Sequence, residues 1–168
     1  MSCYIEKNRS PRKKNIVEFI EFIDRTEVEI IRMIEKAGYK TAENTKLCML
    51  DENYVGFFNR RKKEIIICTS NVKKREGYTH LRKKNKVVFE RTALHIKKAL
   101  RHEAVHVAQE CNNGKLLKID KKLSMNPSKI NAFNGSIRIS REEEKERQAY
   151  ILEDKPRLVK NELIKYCL

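Results

Sequence analysis

The sequence predicts an α+β fold in one domain, on three observations. Apolar residues recur at helical spacing early, in the middle and late in the chain; a short run of strand formers lies between the first two stretches; and 168 residues with 40% apolar content can fill a single core. No repeat, low-complexity tract or linker divides the chain. Residues 1–168 are therefore read as one unit, with an N-terminal helical region at 1–46, a core at 47–155 and a C-terminal helix at 156–168.

Pro11 suits a first helical turn, and Ile16, Phe19, Ile20 and Ile23 follow at helical spacing. Thr26 with Glu29 has the form of a capping box, and Ile30, Ile31 and Ile34 continue the period to Gly38, a residue suited to end a helix. From Asn53 the pattern becomes that of a β-hairpin. Asn53 to Phe58 and Ile65 to Cys68 are its strands, and the basic run from Asn59 to Lys63 is its tip. The segment from Asn71 to Lys86, dense in Lys and Arg and without a sustained period, reads as a surface loop. Thr92 then caps a long helix whose stripe is Ala93, Ile96, Leu100, Ala104, Val107 and Cys111, closed by Gly114. Lys115 to Ile139 reads as loop with at most one short element. Ser140 with Glu143 opens a helix to about Glu153, and Pro156 starts a terminal amphipathic helix.

Composition narrows the function. The charge is +15, which attracts acidic or phosphate-rich partners but does not set the fold. No stretch reaches the roughly 20 apolar residues of a membrane span. The first fifteen residues lack a signal-peptide pattern, and the expected setting is cytoplasmic. Five cysteines without a CxxC pair read as mostly reduced thiols, with Cys68 and Cys111 as buried small hydrophobes.

Within the long helix stands His102-Glu103-Ala104-Val105-His106, the HExxH pattern. Residues four apart share a helix face, so both imidazoles can reach one zinc ion, and Glu103 beside them can act as general base on a water without being a ligand. A catalytic zinc needs a third protein ligand. It does not come from HExxHxxGxxH, since Gln109 and Asn112 occupy the places of its Gly and last His. The later helix offers Glu142, Glu143, Glu144 and Glu146. Glu146 is preferred, because Glu146-Arg-Gln-Ala149 places a small residue one turn on and lets the helices pack closely. His95 lies about 10 Å along the axis from His102, too far to share the ion. Tyr150, Gln109 and His80 are candidates for supporting or oxyanion roles, and Ile65, Ile66 and Ile67 for a strand that pairs with an extended substrate.

HExxH with a later ExxA resembles the gluzincin-type zinc metallopeptidases. More narrowly, the segments Gly56 to Cys68, Leu100 to Cys111 and Glu146 to Ala149 resemble predicted metallopeptidases of cyanobacteria and their phages and, distantly, the mitochondrial peptidase that matures an ATP synthase subunit. The mitochondrial pattern has Asp where this chain has Gln109, and its Asn falls two residues after the strand Cys, whereas Asn71 falls three after Cys68. The resemblance implies a zincin-like minimal domain, zinc as cofactor, His102, His106 and Glu146 as ligands, Glu103 as base, and a peptide or protein substrate. A competing reading is a basic nucleic-acid-binding protein with a vestigial or structural metal site, although aromatics interleaved with basic residues are sparse.

Overall fold

A computed structural model describes residues 18–79 and 85–168. Pro11 and Ile16 of the first expected helix, and His80, lie outside them. Among the described residues the chain is mixed α and β. It runs α1 (Arg25–Lys36), β1 (Lys40–Glu43), β2 (Gly56–Asn59), β3 (Glu64–Ile67), α2 (Thr69–Glu76), α3 (Lys86–Cys111), α4 (Ile130–Ser140), α5 (Glu143–Leu152) and α6 (Pro156–Cys167), with short 3-10 turns at Phe19–Phe22, Lys46–Met49 and Pro127–Lys129. No described helix is long and apolar enough to cross a membrane.

The 26-residue α3 is the axis of the molecule: the sheet covers one side, and α1, α2, α5 and α6 pack around the rest. The sheet order is β1-β3-β2, with β1 parallel and β2 antiparallel to β3. Strand alternation divides the isoleucines of β3. Ile65 and Ile67 enter the main core with Ile96, Leu100 and Val105 of α3, whereas Ile66 joins Cys48 and Cys68 on the opposite face. The expected hairpin is present, Gly56 facing Ile67 and Asn59 facing Glu64 across residues 60–63.

Several expectations are corrected. Residues 1–46 are not wholly helical, since Lys40–Glu43 is a strand held by pairing with β3. The cap of α1 is Asp24 with Glu27, not Thr26 with Glu29: Asp24 accepts from the Thr26 N–H, and the Glu27 carboxylate reaches back to the Asp24 N–H. α3 starts two turns before Thr92, where Asn85 accepts from the Val88 N–H, and the Thr92 hydroxyl donates to the Val88 carbonyl inside the helix. Residues 69–76 form a helix rather than a loop, because Val72 and Thr69 bury against the core while Lys74 and Arg75 face outward, and Gly77, at φ 67°, ends it. The span from Lys115 to Ile139 contains α4. Ser140 closes that helix, so α5 opens at Glu143 with Glu142 as its cap residue. The cysteines are not all free: Cys48–Cys68 and Cys111–Cys167 are disulfides, the second tying the end of α3 to the end of α6.

Candidate metal centre

HExxH lies past the middle of α3, where the helical repeat stacks His102 and His106 with ring centroids 5.1 Å apart. α5 packs against this stretch through Ala149, which is fully buried and has no bulk to hold the helices apart. One turn before Ala149, the Glu146 carboxylate reaches both rings: one oxygen is 3.2 Å from His102 Nε2 and the other 3.6 Å from His106 Nε2. One ligand atom from each of the three residues lies within 4.8 Å of the others. Glu142, Glu143 and Glu144, the other candidates, are exposed and pair with Lys145, Arg60 and Arg147.

The rings are aimed by what holds their far nitrogens. His102 Nδ1–H donates to Glu153 Oε2 at 2.9 Å, and Lys129 Nζ neutralises the other Glu153 oxygen at 2.7 Å while donating to the Tyr150 carbonyl. His106 Nδ1–H donates to Gln109 Oε1 at 2.9 Å. Gln109 Nε2 in turn donates to the Lys145 carbonyl and to Gln148, which is itself fixed by both backbone groups of Leu117. With both Nδ1 atoms engaged, both Nε2 atoms are left for Glu146 or for an ion, and two imidazoles with a carboxylate form a donor set that fits a divalent transition metal. Phe58 of β2 stacks beside His106, and the Tyr150 ring lies edge-on to His102 with its hydroxyl 2.9 Å from Ser136 Oγ.

Electrostatics follow the geometry. Burial pushes the His102 imidazole down, but its hydrogen bonds to Glu146 and Glu153 outweigh burial and raise it to about 10. For Glu146, burial acts upward, and the hydrogen bonds with His102 and His106 overcome it and hold the carboxyl well below the usual range. Glu103 is raised, chiefly by burial, with the two histidines opposing. Tyr150 is pushed up to about 12 by burial, against its bond to Ser136.

The structure thus gathers His102, Glu103, His106, Glu146, Gln109 and Tyr150. It separates the expected substrate strand from that role: β3 is the central strand, paired on both sides by β1 and β2, so Ile65, Ile66 and Ile67 have no free edge to offer a peptide. His95 pairs with Glu76 at 3.0 Å, away from the centre. Sequence reasoning missed Glu153 and Lys129. Glu153 had a signal, since it follows Glu146 by seven residues, two turns along the same face; Lys129, arriving from the turn before α4, had none.

A family model described as a domain of unknown function, DUF8637, matches residues 19–168. The chain belongs to this family. The DUF8637 match spans every element described above and includes all residues of the centre. No curated protein and no solved structure matches the chain.

Proposed function

We propose that the chain is a zinc-dependent metallopeptidase of zincin-like architecture. The observation that carries this reading is the convergence of His102, His106 and Glu146 from two helices, with Glu103 buried beside them. Zinc held by the two Nε2 atoms and the Glu146 carboxylate would supply Lewis acidity to a peptide carbonyl and an activated water. The chain's own residues do the rest. Glu153 and Gln109 keep the imidazoles oriented, and Glu103, raised by burial, takes a proton and returns it to the leaving amine.

An extended substrate is accommodated at β2 rather than β3. Among the described residues β2 pairs only with β3, and it packs on α3 beside the motif, so its outer edge can accept main-chain hydrogen bonding. The exposed residues Arg61, Lys62 and Lys63 at the hairpin tip continue from that edge and favour acidic peptides or a nucleic-acid-associated protein as partner. Disulfides persist where thiols are oxidised, which weighs against the cytoplasmic setting expected from the sequence.

The test is hydrolysis of a mixed peptide library by the zinc-loaded chain. Cleavage that disappears in Glu103→Gln while the metal stays bound supports the reading. An inactive wild type, or a Glu103→Gln variant as active as wild type, overturns it; steeply salt-dependent binding of DNA or RNA by an inactive wild type would favour the nucleic-acid alternative.

A further inference from the structure

β2 presents alternate residues to α3: Phe58 meets His106, and Gly56, two residues earlier, meets Glu103. A Cβ added at Gly56 would lie 2.7 Å from Glu103 Oε1, 3.2 Å from its Cγ and 3.3 Å from its Cδ. The three nearest atoms all belong to that one side chain. Gly56 is also absent from the residues with positive φ, so its backbone is one that any L-residue can adopt. A glycine in a strand costs conformational entropy and packs nothing, and at this position the turn-forming reason for one does not apply.

We infer that Gly56 is a positioning residue for Glu103: its missing side chain is the seat that lets the carboxylate lie against the head of β2 while His102 and His106 of the same helix turn face Glu146. The functional part of this inference rests on the peptidase reading, whereas the seat itself rests on contacts alone. Relief of the overlap in Gly56→Ala must come either from Glu103 or from the strand. The strand is fixed by its pairing with β3, where Gly56 stands opposite the fully buried Ile67. The far end of a glutamate moves more easily than paired backbone, so the carboxylate is what shifts. The atoms nearest the added Cβ are all those of Glu103, so the three ligands are expected to keep their places. A general base misplaced by about 1 Å lowers the rate on the order of 10²-fold with little change in binding.

Two readouts on Gly56→Ala test this. The first is its crystal structure without added metal beside that of wild type, where the Glu103 carboxylate is expected to be displaced or rotated with β2 in register. The second is activity, where kcat is expected to fall roughly 10–100-fold with KM and zinc per chain within about twofold of wild type. Gly56→Ala in a Glu103→Ala background, where the overlapping atoms are gone, is expected to change neither folding nor residual rate. An unmoved Glu103, a kcat within about twofold of wild type, or a rate loss that tracks loss of zinc would overturn the role of Gly56. If the wild type cleaves no peptide, the peptidase reading fails, and the crystal structure still decides the seat.

Discussion

At the scale of single residues, the two imidazoles are held by unlike partners. His102 donates to a buried carboxylate and His106 to a carboxamide. The carboxylate of Glu153 makes His102 the more basic donor and fixes its tautomer. Replacing it in Glu153→Gln is expected to weaken zinc binding about 10–100-fold, measured by competition with a chromophoric chelator. The same contacts predict a pH effect in the metal-free chain. A histidine whose pKa is raised on folding contributes stability that is complete below its unfolded value near 6.5 and is lost as pH rises to about 10. The thermal midpoint of the metal-free chain should therefore fall across that window, and less so in Glu146→Gln; an identical decline in both would remove Glu146 from the arrangement. His102, Glu103 and His106 were legible because helical spacing alone puts them together, and Glu146 because Ala149 marks a close helix contact. The link from Gln109 to Gln148 was not, since it depends on where Leu117 returns to α5.

At the scale of elements, α3 was legible through its long apolar stripe, and the hairpin through its strand formers. α2 and α4 were not. α2 spans only eight residues and α4 buries only Phe133, so tertiary contact rather than period decides them. The edge and centre of the sheet were also beyond the sequence, because the partner of β3 on its far side is Lys40–Glu43, a run without strand character. α1 is joined to α3 by the buried pair of Glu27 and Arg101, whose guanidinium also donates to the Glu153 carbonyl. Arg101→Ala leaves the Glu27 carboxylate buried without its cation and is expected to cost about 3–5 kcal/mol in chemical denaturation. Asp24→Ala, which removes the cap of the same helix, should cost about 1 kcal/mol. If Arg101→Ala proved no more harmful than Asp24→Ala, the buried pair would not be what fastens α1.

At the scale of the whole molecule, the Cys111–Cys167 bridge closes a long loop that carries α4, α5 and Glu146 between the ends of α3 and α6. Widely spaced cysteines gave no sign of this, because pairing depends on which helix ends meet. Cys167→Ser is expected to lower stability by about 2–4 kcal/mol, and reductant should lower the wild-type midpoint to match. A midpoint insensitive to both would mean that the bridge constrains little. The +15 charge bears on association rather than on the fold, and the centre carries buried charged groups of its own. The most direct measurement is zinc per chain by elemental mass spectrometry, for wild type and Glu146→Ala side by side after loosely held metal is removed. About one zinc in wild type and a sharp loss in the variant is the expected result for a site built on two helices. No zinc in reconstituted wild type, or full retention in Glu146→Ala, would contradict it.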